Sequence, residues 1–356
     1  MARKKRILFG AVDIGYRIDT YSKFIAENFS DQLIAESFSK YVLPQNHFKT
    51  QYTYVCPVYH WHPIRVYLYC FCFFIYALFR FDVFHFLSGE LILTRKLRRF
   101  EMQIYKLLGK KVIMHFVGAD IRSEKYLDWK SQYMEDYLAG KPSPESLSLP
   151  YQKALIQDAL DYADTLLVST PDLLDIIPSA TYLPVFLNWE HLPERTPKAP
   201  CPPLKILFSP SGTRTKGNQY IYAALDRLKE TYGNRVEIYT PGYDNKEHFQ
   251  YSTTRYDLLQ KMGSNHIVID QMLIGWYGLK TLEALAMGCT VICYIDTQYK
   301  PYLFPDSPII NSDIHSLYDT LVDHITSYRS HDSTTWIQKY HYISAYSKLL
   351  QEIWIG

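Results

Sequence analysis

Residues 267–295, IVIDQMLIGWYGLKTLEALAMGCTVICYI, constrain the fold of this chain more than any other stretch. A short apolar run, Ile267-Val268-Ile269, ends in Asp270. A turn with Gly275 and Gly278 surrounds Trp276 and Tyr277. Residues 279–287 carry a helical pattern, with Leu282, Leu285 and Ala286 at i, i+3 and i+4 and Glu283 off that face. Gly288 stops the helix, and 291–295 reads as a buried strand. Strand, glycine turn, helix and strand make a βαβ unit whose turn opens a helix N-terminus. Unpaired N–H groups and the positive dipole end suit Gly278, Leu279, Lys280 and Thr281 to holding a diphosphate. Glu283, about one turn further in, could accept hydrogen bonds from ribose hydroxyls. An ordinary βαβ unit without a ligand is the alternative reading.

The string Glu283-Ala284-Leu285-Ala286-Met287-Gly288-Cys289-Thr290-Val291-Ile292 resembles the nucleotide-sugar motif of retaining GT-B glycosyltransferases, especially glycosyltransferase family 4. That pattern is E-x7-E followed by A-x-A-x-G-x-P/T-V-I. Its first Glu, which in the family contacts the transferred sugar, falls here on Gly275.

A second match lies at 209–218, SPSGTRTKGN, similar to the family turn that carries a Lys-Gly pair before a helix. The resemblance makes Gly212, Lys216 and Arg214 donor-binding residues, and the two cations can neutralise a leaving diphosphate as its charge grows. A solvated basic turn is the bland reading. A third match follows the strand pattern 111–116. His115-Phe116-Val117-Gly118-Ala119-Asp120-Ile121-Arg122 resembles the family's H-x-H-G-S-D-I-R segment, which places His115 and Asp120 at the sugar and acceptor side. Asp120 and Arg122 could instead orient the loop as an ion pair. In the turn after the first strand, Gly15 is either a donor-side glycine by resemblance or a plain turn residue. The run 163–173, ADTLLVSTPDL, is an architectural match, with Thr170 as expected cap and Pro171 opening a helix.

With 356 residues the chain can hold two full cores. Its 38 Lys and Arg nearly balance 36 Asp and Glu, so no nucleic-acid partner is expected. No C-x-x-C or Cys/His spacing suggests a metal. Cys70, Cys72 and Cys293 lie in apolar runs and are expected to be buried free thiols, a weak sign of a reducing, cytoplasmic location. His60 and His62 read as solvated or locally bonded, and His85 as a packing residue. The most apolar stretch, 66–79, is about 14 residues, short of the roughly 20 that span a bilayer; a buried or membrane-leaning helix is expected. Residues 90–108 predict a basic helix whose Arg95, Lys96, Arg98 and Arg99 form either a solvated face or a contact with the inner face of the cell membrane.

The prolines at 193, 197, 200, 202 and 203 mark a stiff linker. The expected organisation is α/β with two Rossmann-like domains facing across a cleft: 1–187 for the acceptor, a linker at 188–203, and 204–332 for the nucleotide sugar. A last helix over 336–354, within 333–356, would cross back. The resemblance implies a metal-independent retaining transferase without a bound cofactor. It would move a hexose-type sugar from a UDP- or GDP-type donor to a glycan or lipid-linked acceptor, in making a cell-surface polysaccharide or glycolipid. The alternatives are a non-catalytic GT-B partner subunit, suggested by Gly275, and a sugar-nucleotide epimerase.

Overall fold

A computed structural model describes residues 3–40, 52–56, 58, 60–122, 149–195, 198, 202–209, 216–241, 254–328 and 332–356. Gly212 and Arg214 lie outside these residues. By its contacts the chain divides into two compact units, 1–186 with 343–356, and 187–342.

The first unit is built on a seven-stranded parallel sheet in the order β3-β2-β1-β4-β5-β6-β7. Its strands are β1 (Lys5–Gly10), β2 (Leu33–Ser39), β3 (Tyr54–Val55), β4 (Val83–Leu87), β5 (Lys111–Phe116), β6 (Thr165–Val168) and β7 (Thr181–Tyr182). The central strands are apolar along their whole length because both faces are covered. Ile7 and Phe9 point to one side with Val83, Leu87 and Ile113. They meet α1 (Arg17–Asn28) and the last helix of the chain, Ser347–Ile355. Leu8, Phe84, Phe86, Val112 and Met114 point to the other side, toward α2 (Pro63–Arg80), α3 (Arg98–Leu107) and α4 (Leu149–Tyr162). Strands β2 and β3 go beyond the sequence reading.

The second unit holds a five-stranded parallel sheet in the order β12-β11-β10-β8-β9. Its strands are β8 (Leu204–Phe208), β9 (Val236–Tyr239), β10 (Ile267–Ile269), β11 (Thr290–Cys293) and β12 (Ile310–Asn311). The helices are α5 (Asn218–Tyr232), α6 (Arg255–Ser264), α7 (Leu279–Ala286), α8 (Leu317–Ser327) and α9 (Thr334–Tyr340); Ser347–Ile355 in the first unit is α10.

Several expectations are corrected. The helix expected over 90–108 begins late, with a 3-10 turn at Arg95–Leu97 before α3. The reason is the buried Glu101 carboxylate. It accepts from the backbone N–H of Ile92 (3.0 Å) and Leu93 (2.7 Å) and from the Tyr105 hydroxyl (2.7 Å), so 91–93 are held as a buried loop. The basic set on this segment is not one outward face. Arg98 is buried and bonded to Asp158 of α4 at 2.9 Å, Arg99 reaches Asp158 and Asp161, and Arg95 pairs with Glu90.

The single helix expected over 336–354 is two helices, α9 and α10, joined by a 3-10 turn. Fully buried His341 marks the break. Its carbonyl accepts from Leu187 N (2.9 Å) and its ring meets the Tyr277 hydroxyl at 3.1 Å. Thr170 does not cap a helix through its side chain, and Pro171–Asp175 is a 3-10 turn. Cys72 is exposed, whereas Cys70 and Cys293 are buried free thiols.

Helix α10 closes the first core through Trp354. The fully buried indole meets the rings of Phe9, Tyr21, Phe24 and Phe29 at 5.6–6.5 Å and donates to His85 Nδ1 at 3.2 Å. Trp354→Ala is expected to cost about 3–5 kcal/mol through lost burial and a residual cavity, measured by urea denaturation of the full chain.

Candidate nucleotide and strand-end sites

In the second unit the site is assembled around one carboxylate. Strand β10 ends at Asp270, whose side chain is buried at 2% exposure. Its Oδ1 accepts from Lys216 Nζ at 3.3 Å and its Oδ2 from Thr281 Oγ1 at 2.8 Å. Burial alone would raise this carboxyl, but Lys216 and Lys280 and the Thr281 bond hold it below its ordinary value. Lys216 comes from the turn after β8, held in place because its carbonyl accepts from Met272 N at 2.9 Å. Lys280 and Thr281 come from the first turn of α7. Lys280 donates to the Ser209 carbonyl at the end of β8. Desolvation, then Lys216, lowers its ammonium to about 7.

Lys216 and the adjacent pair Lys280 and Thr281, from two segments of the sequence, thus converge at the N-terminus of α7. Gly278 caps that helix without a side-chain bond. Among the described residues, a Cβ added at Gly278 would meet nothing within 4 Å.

Glu283 is more enclosed than its place off the apolar face of the helix pattern suggests. Helix α7 is buried all round from Thr281 to Ala286, so this carboxylate is not on a polar face. It forms an ion pair with Arg255 of α6. Lys280 interacts electrostatically with both Lys216 and Arg255, so the five charges Lys216, Asp270, Lys280, Arg255 and Glu283 make one connected set. Asp270 and Arg255 are the members that sequence reasoning missed. A strand-end Asp is a signal for the first, but nothing local marks the second.

The position matched to the first Glu of the motif has its own structural reason. Gln271 accepts from Ile274 N (2.6 Å) and donates to the carbonyls of Trp276 (2.7 Å) and Tyr294 (2.9 Å), winding the loop tightly. Gly275 within it has φ +84, and a Cβ there would lie 2.9 Å from Asp296 Cβ. A side chain is excluded by both conformation and space. Gly288, with φ +73, disfavours a side chain by its left-handed backbone, while the neighbour beside it is the movable end of Arg195.

In the first unit His115 sits at the end of β5 with 1% exposure. Its Nε2 is 3.0 Å from Ser169 Oγ, which accepts from Arg17 at 2.7 Å. The ring lies beside Tyr21 and 5.6 Å from His85, and its Nδ1 has no partner. The ring is enclosed in this arrangement, with Nε2 engaged by Ser169 and Arg17 behind it. His85 is buried packing, as its sequence reading has it. Burial, with Arg17 nearby, lowers His85 to about 3 and His115 well below its ordinary value.

Asp120 is also redirected. Its two oxygens accept from Val117 N (2.9 Å) and Gly118 N (2.7 Å), and Arg122 pairs with Asp172 at 2.7 Å. Asp120 braces the turn from inside. Gly15 lies between β1 and α1 with φ +68, as a turn glycine. Two residues before it, Asp13 accepts from Ile18 N and the Tyr52 hydroxyl, both at 3.2 Å. Desolvation raises its carboxyl to about 6, a value suited to proton transfer. The sequence reading assigns no role to Asp13.

The two buried imidazoles predict acid sensitivity. Their folded values lie below the ordinary 6.5, so the unfolded chain takes up protons first as pH falls through 6.5. The contribution is complete above that pH and declines below it, by up to about 1.4 kcal/mol per pH unit for each ring. His85→Phe is expected to flatten the loss between pH 6.5 and 5, read from urea midpoints; an unchanged slope would count against it.

No protein-family model matches the chain, and no curated protein matches it. Solved structures do. Sucrose-phosphate synthase from Thermosynechococcus elongatus aligns at TM-score 0.62 with 12% identity, over 99% of this chain and 98% of that one. The catalytic domain of starch synthase IV from Arabidopsis thaliana, bound to ADP and acarbose, aligns at 0.56 with 10% identity over 99% of each chain. A protein described as a candidate UDP-N-acetylglucosamine 2-epimerase from Listeria monocytogenes aligns at 0.53 with 12% identity, over 93% of this chain and 90% of that one. At such identities the likeness is one of fold, and the fold of this chain is GT-B, the architecture of nucleotide-sugar glycosyltransferases.

Proposed function

We propose that this chain is a glycosyltransferase of the family 4 type that moves a hexose-type sugar, with retention, from a nucleoside-diphosphate sugar to a hydroxyl of a glycan or lipid-linked acceptor. The observation that carries the proposal is the convergence of Lys216, Lys280 and Thr281 on Asp270 at the N-terminus of α7. Asp270 pre-positions the cations. The diphosphate adds negative charge to a site with two lysines and helical N–H groups, and its leaving form carries more charge than the bound donor. Lys280, near 7 when the site is empty, takes up a proton as the anion arrives. Glu283 would receive the ribose hydroxyls, its carboxylate oriented by Arg255. The fixed cations take the part that a metal plays elsewhere, and no cofactor is invoked. Arg214 and Gly212 belong to the same proposal by their place in the motif.

The acceptor side rests on the first unit's strand ends, with Gly15, His115 and Asp120 shaping the loops. The cytoplasmic face of a membrane, in assembly of a surface polysaccharide or glycolipid, is the setting this reading favours. A second reading, a non-catalytic GT-B partner subunit, is favoured by Gly275, which has no side chain to replace the motif's sugar-contacting Glu; the nearest carboxylate there is Asp296 from the adjoining loop.

A thermal-shift screen against UDP, GDP, ADP and their sugars tests the proposal, since a ligand that binds the native state raises its melting point. One nucleotide is expected to stabilise the protein. Lys216→Ala is expected to weaken it by roughly 10- to 100-fold, the loss of one charge-assisted bond. Binding should also weaken as pH rises through 7 and Lys280 loses its proton. Binding without transfer or hydrolysis of any donor would favour the partner-subunit reading. The anomer formed, read by NMR, is expected to be retained; inversion together with loss of rate in Asp13→Asn would make Asp13 the base.

A further inference from the structure

Two thiols of the first unit face each other in its core. Cys56 directly follows β3, Cys70 lies on the buried side of α2, and their Sγ atoms are 3.8 Å apart. Among the described cysteines no other two sulfurs are in contact. Neighbouring rings hold this approach. Phe73 of α2 stacks on Phe38 of β2 at 4.5 Å and meets Tyr54 of β3 at 4.9 Å. At 0% and 3% exposure neither sulfur can reach a second chain, so the partner open to each is the other.

We propose that Cys56 and Cys70 form a reversible disulfide, a redox modification site that ties the end of β3 to α2. The bond requires the two sulfurs to close to about 2.05 Å. Strand β3 is a two-residue edge strand, joined to the sheet through β2 alone, and is the part of this core freest to follow. The tie reaches the neighbouring strand ends. Cys56 N–H donates to the Ser39 carbonyl at 2.9 Å, Lys40 N–H donates to the Ala11 carbonyl at 2.9 Å, and Tyr52, just before β3, bonds Asp13.

A buried cation favours the chemistry. Lys40, whose Nζ donates to the Leu93 carbonyl at 2.6 Å, attracts the thiolate form of both sulfurs. Cys70 lies below the ordinary thiol value, first because the Cys56 S–H donates to its thiolate and then through Lys40, with burial opposing. Cys70 is therefore the attacking sulfur. Its thiolate takes one oxygen of a peroxide from solution, the O–O bond breaks, and hydroxide leaves, giving a Cys70 sulfenic acid. The Cys56 sulfur then attacks Cys70 Sγ, the S–O bond breaks, and that oxygen departs as water with the Cys56 proton. The hydroxide recovers the proton that Cys70 released. Two thiols lose two electrons in all, and one peroxide becomes two waters. A dithiol reductant reverses the bond by exchange. Intracellular disulfides of this transient kind are typically redox-sensing. The inference stands apart from sugar transfer, whose nucleotide-binding residues lie in the second unit.

The test is thiol mapping of the full chain after hydrogen peroxide, by alkylation in denaturant and mass spectrometry of the peptides. Wild type is expected to give a linked Cys56–Cys70 peptide. Both alkylation sites should be lost in parallel and recovered in dithiothreitol, while Cys289 and Cys293 stay alkylatable. Cys72→Ser is expected to form the same link as fast as wild type. In Cys56→Ala, Cys70 is expected to stop at the sulfenic acid and be trapped by dimedone; should that variant fail to fold, the wild-type map decides alone. The nucleotide-induced thermal shift is expected to be equal in reduced and oxidised protein, so a failure here is distinct from a failure of the transferase reading. The proposal is overturned if Cys56 and Cys70 both remain alkylatable at a peroxide level that oxidises the exposed Cys72, or if either of them links to Cys72 instead.

Discussion

A single buried carboxylate organises the second unit. Asp270 ends a strand in a low-dielectric position, where an unpaired charge would be costly and removal of one partner of a buried pair typically costs about 3–5 kcal/mol. It is stable there because cations from the β8 turn and the α7 N-terminus surround it and Thr281 donates to it. The same arrangement that satisfies Asp270 keeps two ammonium groups beside helical amides. The packing that satisfies Asp270 thus also fixes where the two ammonium groups stand. Lys280, crowded by Lys216, is held near 7, which leaves its charge adjustable by whatever binds.

The first unit solves a related problem differently. At the ends of β5 and β6, Arg17, Ser169 and His115 form a buried chain of hydrogen bonds, and Asp120 closes the adjacent turn. These groups are consumed by one another. Burial raises the proton affinity of Asp13, in the β1 loop, and of Asp120 and Glu101 as well, and Asp13 reaches about 6. A polar strand end is thus not sufficient for reactivity; which bonds are already made decides what remains available.

The basic segment before β5 shows how composition misleads when the partners are remote in sequence. Arg95, Lys96, Arg98 and Arg99 look alike in a line of residues. Glu90, Asp158 and Asp161 draw three of them into ion pairs, and Glu101 unwinds the start of the helix by bonding the backbone of 92 and 93. Exposed apolar surface in this region is shared by Leu97, Phe100, Leu107 and Leu108 and by α2, whose other face packs on the core.

What the sequence by itself determined is local and periodic. The apolar strands, the βαβ unit at 267–295, the glycines that end helices and the order of the motifs follow from short-range sterics and burial patterns, and they suffice for two parallel α/β sheets. Lys216, Lys280 and Thr281 were legible because each stands at a turn or helix start. What only the tertiary structure decided is which charges meet. Arg255 neutralising Glu283, Asp296 filling the space beside Gly275, His341 breaking the last helix and Asp172 drawing Arg122 away from Asp120 all depend on residues tens of positions apart. Pairing of that kind is set by the packing of whole elements, and no spacing along the chain encodes it.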